Sequence, residues 1–199
     1  MMIVGVGCGP GLITMQAANI IFNAKRVAGS SQALALAEEY VQEGCKVFVL
    51  QDYFKLEEFP EDTVILSTGD PTLVGLKAQG AELVPGISSM QVAFARLNLP
   101  LESVSVVCAQ GKHFTTKAVV EIVREVKRGK NVFVLADPKL SVPKLAEELK
   151  SKGIECRLAV LENLGYDNEN VAVGTIEEPP VVESPLFCLV LGKWSATNE

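Results

Sequence analysis

The sequence predicts an α/β protein of two lobes, the first built on a mostly parallel sheet and the second on a mixed one. Three observations carry this. Up to about residue 98, short β-branched runs alternate with helically spaced apolar residues, the pattern of a parallel sheet covered on both faces. At Leu99-Pro100-Leu101-Glu102-Ser103 the alternation breaks and a new one starts. Near the C-terminus two strand-like runs follow each other with no helical segment between them, so part of the second sheet is antiparallel. The lobes are accordingly placed at residues 1–102 and 103–199.

Residues 2–6 (Met-Ile-Val-Gly-Val) read as a buried first strand that enters a Gly/Pro turn at 7–11. Thr14 through Ala24 sets Met15, Ala18, Ile21 and Phe22 at helical spacing. A short strand fits Arg26–Ala28. Ser30 and Ser31 are good N-caps for a helix reaching Glu43, where Gly44 is a natural stop. Lys46–Leu50 and Thr63–Ser67 read as core strands, and Ser88–Leu97 as a helix. In the second lobe, strands fit Val104–Cys108, Asn131–Ala136, Glu155–Val160, Asn170–Val173 and Leu186–Leu191. Helices fit Thr116–Arg128 and Ser141–Lys152, the latter tolerating Pro143 because first-turn amides need no intrahelical acceptor. Glu177-Glu178-Pro179-Pro180 is loop material, and Ala196–Glu199 is expected to fray.

Composition excludes several function classes. The 199 residues are 48% hydrophobic and 21% charged, globular values, and the net charge of −6 argues against a general nucleic-acid or anionic-membrane binder. No apolar run is long enough to span a bilayer, and the N-terminus lacks the basic segment and cleavage site of a signal peptide. The five cysteines are scattered without a Cys-x-x-Cys pair, and the single histidine, His113, cannot build a multi-histidine metal site. A cytoplasmic protein without a bound metal is expected. The charge is uneven: residues 1–103 carry 6 basic and 11 acidic groups, residues 104–199 carry 12 and 13.

Three turn segments stand at predicted strand ends, where open α/β sheets bind ligands. The first, Gly5-Val-Gly-Cys-Gly-Pro-Gly11, alternates glycines and allows a tight turn, with or without close approach of a ligand. It is not the dinucleotide fingerprint, because the sixth position counted from Gly5 or Gly7 is Pro10 or Leu12. The second, Ser67-Thr68-Gly69-Asp70-Pro71-Thr72, is an ordinary turn by composition but places Asp70 beside the glycine loop. The third, Val84-Pro85-Gly86-Ile87-Ser88-Ser89, opens a helix whose first amides are capped by the serines or offered to a ligand carboxylate. A Walker A segment and a G-x-S-x-G elbow are both absent. No acid–base pair stands out either, which favours a reaction driven by positioning.

Together these segments resemble the tetrapyrrole (corrin/porphyrin) methylase family, in order and spacing. The resemblance continues through Gln110-Gly111-Lys112, Leu135-Ala136-Asp137 and Glu162-Asn163-Leu164-Gly165, and so covers nearly the whole chain. Within the family, Glu-Asn-Leu-Gly followed by Glu169 and Val173-Gly174-Thr175-Ile176 looks most like the branch that methylates C5 of cobalt-precorrin-7 in anaerobic cobalamin synthesis. Two departures stand out. The first loop is one residue shorter than usual with Cys8 in place of proline, and Ala109-Gln110-Gly111-Lys112 replaces a Ser-x-His-Gly-Arg-like run.

The resemblance implies two α/β domains with a cleft between them, S-adenosylmethionine as cofactor (released as S-adenosylhomocysteine), a cobalt-precorrin substrate and a homodimer. It also implies functional pairing with a separate C15-methylating decarboxylase. Carried over by motif, the cofactor contacts are Cys8, Gly69, Asp70, Leu73, Ser88 and Ser89 in the first lobe, and Ala136, Asn163 and Leu164 in the second. Lys112, His113 and Lys117 form a candidate basic rim for the substrate's carboxylates, or a merely solvated surface. Other readings are a precorrin methylase of different regiochemistry, diphthine synthase, or a non-catalytic module that senses a nucleotide-like ligand.

Overall fold

Successive side chains of a strand point to opposite faces, so a strand buried throughout needs cover on both sides. The first strand, β1 (Met2–Gly5), is of this kind from Ile3 onward. The structure is a computed structural model that describes residues 1–51, 53, 56–74, 80–110 and 116–194. It divides into two compact units, Met1–Ser89 and Met90–Glu199.

In the first unit, β1 is followed by α1 (Met15–Phe22), β2 (Arg26–Gly29), α2 (Ser31–Ala37), β3 (Lys46–Val49), β4 (Val64–Ser67), α3 (Pro71–Val74) and β5 (Glu82–Val84). The strands form one parallel sheet in the order β3-β2-β4-β1-β5. One face packs Val4, Val27 and Leu66 against Ala17 and Ile21 of α1 and Ala33 and Ala37 of α2. The other packs Ile3, Ala28 and Ile65 against Leu56, Tyr53 and Phe59. Ile3, Ile21, Ile65 and Leu66 are fully buried, each contributing about 1.5–3 kcal/mol. Both helices start at side-chain caps, Thr14 accepting from the Ala17 amide at 3.1 Å and Ser30 from the Ala33 amide at 3.2 Å.

Two of the predicted elements differ in the structure, and α3 and β5 have no counterpart among them. The helix expected to reach Glu43 ends at Ala37 and tightens into a 3₁₀ turn over Glu38–Tyr40. That turn lets Tyr40 and Val41 pack on the core instead of following the helix outward. Lys46–Val49 is not a core strand but the sheet margin, with Val47 and Val49 half-exposed. A β-branched run looks the same at the edge of a parallel sheet as at its centre, since its position depends on pairing partners elsewhere in the chain.

The second unit contains α4 (Ser89–Arg96, whose first residue falls in the first unit), β6 (Val104–Ala109), α5 (Thr116–Lys127), β7 (Asn131–Ala136), α6 (Val142–Ser151), β8 (Arg157–Glu162), β9 (Asn170–Thr175) and β10 (Phe187–Gly192). Its sheet runs β6-β7-β10-β8-β9; β6 and β7 are parallel and the remaining pairs antiparallel. Ile122 of α5 and Leu145 and Leu149 of α6 join Val132, Val134, Leu158 and Leu189 in the core on one face. Phe133, Ala159, Leu161 and Val190, on the alternate register, are also fully buried. The α/β class, with a parallel first sheet and a mixed second one, is as the sequence predicts.

Candidate functional site

The three turn segments converge at the carboxyl ends of adjacent strands β1, β4 and β5. Gly7 and Gly69 form an antiparallel bridge, the Gly69 amide donating to Gly7 O at 2.7 Å and the Gly7 amide to Gly69 O at 3.3 Å. The Cys8 amide donates to Ile87 O at 3.0 Å, and the Val6 amide to Ser67 O at 2.9 Å. Each loop is therefore laced to another by backbone bonds. Tyr53 braces the neighbouring strand ends: its hydroxyl donates to Leu66 O at 2.9 Å and accepts from the Ser30 amide at 3.0 Å.

The glycines divide into two kinds. A Cβ on Gly5 would lie 2.6 Å from both Gly69 O and Gly86 N, and one on Gly86 would lie 2.9 Å from the Gly5 backbone and closer still to Gly69 O. These two glycines are needed because loop packs on loop. Gly69 is different: its φ is +71°, and a Cβ there would meet only the Ser88 Cα, at 4.0 Å. It turns the chain in the left-handed conformation and leaves open space in front of the backbone. Three loop backbones held together with a glycine facing open space suit the close approach of a small ligand, which is what a bound S-adenosylmethionine requires.

The first-unit candidates all fall on this loop cluster. Cys8 is nearly buried in the glycine loop, and Ser88 is buried just before α4, which Ser89 opens. Asp70 accepts from the Thr72 amide at 2.7 Å and the Thr72 hydroxyl at 2.6 Å, both on Oδ1. That pairing caps the turn into α3, where Leu73 sits half-buried.

The second-unit candidates lie at strand ends of their own sheet. Ala136 closes β7, and its carbonyl accepts from the Gln110 side chain at 3.4 Å. Asn163 and Leu164 follow β8 in a tight turn closed by the Tyr166 amide on Asn163 O at 2.9 Å, with Gly165 at φ +84°. Two carboxylates bracket this turn. Glu169 accepts from the Gly165 amide at 2.7 Å and pairs with Arg96, and the Arg96 guanidinium holds its carboxyl below the usual range against the opposing effect of burial. Glu162 is buried; burial pushes its carboxyl up, but bonds from the Ser184 amide, the Asn170 side chain and the Glu183 amide outweigh this and leave it lowered. Lys117 is exposed in the first turn of α5, while Lys112 and His113 lie outside the described residues.

Sequence reasoning did not single out Gly5, Gly86 and Ile87, which join the loops, or Tyr53 and Glu162. The glycines were visible as motif members, but their role depends on partners some 60 to 80 residues away. Among the described residues no group of three or more His, Cys, Asp or Glu side chains could hold a metal ion. No helix among them is long and apolar enough to cross a membrane.

Comparison with known proteins places this geometry. The family model for tetrapyrrole (corrin/porphyrin) methylases matches residues 1–180. A probable cobalt-precorrin-7 C(5)-methyltransferase from Methanocaldococcus jannaschii is 31% identical, the alignment covering 89% of this chain and 90% of that protein. The crystal structure of a cobalamin-biosynthesis precorrin-6Y methylase from Archaeoglobus fulgidus superposes with a TM-score of 0.73 at 26% identity, over 98% of both chains. The methyltransferase CobJ shares the fold, with a TM-score of 0.75 at 14% identity over 96% of this chain and 93% of its own. Strand-end loops of this kind, in a chain so related, define an S-adenosylmethionine-dependent methyltransferase. The chain belongs to the tetrapyrrole (corrin/porphyrin) methylases.

Proposed function

We propose that this methyltransferase acts on C5 of cobalt-precorrin-7 in cobalamin biosynthesis, in the cytoplasm. The observation that carries the substrate is the 31% identity, across nine-tenths of both chains, to the probable cobalt-precorrin-7 C(5)-methyltransferase. The cofactor is held by the cluster of Cys8, Gly69, Asp70, Leu73, Ser88 and Ser89. Ala136, Asn163 and Leu164 are proposed as further contacts on the family resemblance.

Bound S-adenosylmethionine supplies a methyl group activated on a sulfonium, open to in-line attack by an electron-rich carbon. The chain's own task is then mainly to hold donor and acceptor at near-attack distance and keep water out, which can supply much of the rate. Loops laced by backbone hydrogen bonds suit that task, because their geometry costs nothing to organise at the moment of reaction. The sulfonium's positive charge passes with the methyl group to the macrocycle, which sheds a proton, and no side chain is assigned to take it. Lys112, His113 and Lys117 are proposed to meet the macrocycle's carboxylates. A homodimer and functional pairing with a separate C15-methylating decarboxylase complete the proposal.

Calorimetry with S-adenosylhomocysteine, followed by methyl transfer to cobalt-precorrin-7 with product mass and regiochemistry, tests this reading. Turnover with one methyl added at C5 is the expected result. Binding with no turnover on any precorrin would favour a cofactor-sensing module. Lys117→Glu is expected to raise KM for the tetrapyrrole while leaving affinity for S-adenosylhomocysteine unchanged; an unaltered KM would assign Lys117 to the solvated surface.

A further inference from the structure

β3 closes one margin of the first sheet, and among the described residues only β2 pairs with it. The Lys46 amide donates to Lys25 O at 3.0 Å and the Leu50 amide to Gly29 O at 2.8 Å. Residues 46, 48 and 50 therefore turn their backbone groups inward to β2, and alternation along the strand turns the amides and carbonyls of Val47 and Val49 outward. The side chains are open as well. Val47 is 50% exposed and Val49 62%, while Phe48, on the opposite face, is 38% exposed.

An open edge of this kind is a template for another strand, and monomeric proteins blunt it with charge, proline, a bulge or a covering segment. β5, at the other margin of the same sheet, is three residues long and carries the exposed Glu82. In the second unit, the chain after β9 folds back on the strand's end, where the Thr175 amide donates to Glu178 O at 3.2 Å. β3 has no proline, and its single charge is Lys46, at its first position.

The edge also complements a second copy of itself. About a two-fold axis through Phe48, Val47 faces Val49 of the second copy, and each exchanges both an amide and a carbonyl bond with the other. Pairing stops short of Cys45, whose amide is committed to Gln42 O at 3.1 Å. Lys46 then opposes Leu50 of the second copy, so no like charges meet. Phe48 opposes Phe48 of the second copy in a non-hydrogen-bonded pair, where side chains come closest. Each ring is already set edge-to-face on Phe59, with centroids 5.8 Å apart, so the pairing extends an aromatic cluster.

We propose that two copies of this chain associate by antiparallel pairing of β3 with β3, joining their first sheets into one continuous sheet. The inference rests on the homodimer reading above and gives it a surface and a register.

Sedimentation velocity and light scattering on the full chain measure the dimer dissociation constant. Val49→Pro removes an outward amide from each copy and leaves the bonds to β2, which residues 46, 48 and 50 make. The constant should rise about tenfold or more. Phe48→Cys supplies a readout that does not depend on weakening the dimer. It sets two thiols opposite each other on Cα atoms about 4.5 Å apart, within disulfide reach, so mild oxidation should give a covalent dimer on a non-reducing gel. Val47→Cys, whose two copies are offset by two residues in this register, should not cross-link, and neither should the wild type. A wild-type dissociation constant in Val49→Pro overturns the proposal, as does a dimeric Phe48→Cys protein that fails to cross-link; either result moves the dimer to another surface. Equal cross-linking of Val47→Cys and Phe48→Cys overturns the register. A wild-type chain that stays monomeric at its highest soluble concentration overturns the homodimer reading, and this inference with it, before any variant is compared.

Discussion

Substituting Gly5 with alanine adds one methyl group to the junction of three loops. Gly5 is the last residue of β1, and its φ lies outside the left-handed region, so the backbone there suits any residue. Space alone is at issue. The new Cβ would stand 2.6 Å from Gly69 O, 2.6 Å from Gly86 N and 2.8 Å from Gly86 Cα, whereas ordinary contact begins at 3.4 Å. All three atoms are backbone, so no rotamer change relieves the clash, and the loops must each retreat by about 0.8 Å. Overpacking of this kind costs about 1–3 kcal/mol. At about 2–4 °C per kcal/mol for a chain of this size, a cost near 2 kcal/mol lowers Tm by roughly 4–8 °C. Cys8, Asp70 and Ser88 ride on the displaced loops; losing one or two ligand hydrogen bonds raises the Kd for S-adenosylhomocysteine about 5- to 30-fold. Calorimetry for both quantities is the assay, with Gly44→Ala as control. Gly44 has φ +86° and nothing within 4 Å of its Cβ, so alanine there strains the backbone without moving these loops. That control should lower Tm and leave Kd alone. A Gly5→Ala protein with wild-type Kd, whatever its Tm, would refute the assignment of these loops to the cofactor.

Asp70→Ala should cost about 1 kcal/mol of stability by leaving both Thr72 donors without their acceptor, and should weaken cofactor binding as well. Asp70→Asn restores the cap but not the charge, so recovered stability without recovered affinity is expected; unchanged affinity in the alanine variant would make Asp70 a turn residue only. Thr63 is 1% exposed, and its hydroxyl has no hydrogen-bond partner among the described residues. Thr63→Val therefore should stabilise the fold by about 1 kcal/mol, read as a rise in Tm, and a fall in Tm would reveal a partner for that hydroxyl. Glu125, Glu162 and Glu169 are all lowered, Glu125 chiefly by Arg124 and Ser105. Unfolded, each binds protons more readily than in the fold, so their contribution is complete above the ordinary glutamate value of about 4.3 and is lost as pH falls through the lower folded values. Thermal scans from pH 7 to 3 should show this loss, and Glu125→Gln should flatten part of it; an identical acid limb in that variant would sink the assignment.

Most of the fold was legible because it rests on local signals: alternation of short strands with helices, and a cap at Ser30. What was not legible depends on distant partners. Lys46–Val49 looks like any β-branched core run, and only the pairing order makes it a margin. The end of α2 was set by the packing of Tyr40 and Val41 rather than by Gly44. At the site, Glu162 and Ser184 are 22 positions apart, and no spacing rule connects a strand-end glutamate with a serine in a proline-flanked loop.

The glycine loops show why three weak motifs made a strong one. Taken alone, an alternating-glycine turn, a Gly-Asp-Pro turn and a Pro-Gly-Ile-Ser-Ser segment are each common and carry little information. They are not independent, however. The missing side chain of Gly5 is required by Gly69 O and Gly86 N, and that of Gly86 by Gly69 O and the Gly5 backbone. Gly69 must in turn be left-handed to bridge Gly7. A chain that kept one of these segments and lost another would have a hole or a clash at the junction. Their joint presence therefore reports a single three-loop structure, and a side chain introduced at Gly5 or Gly86 should damage all three loops together.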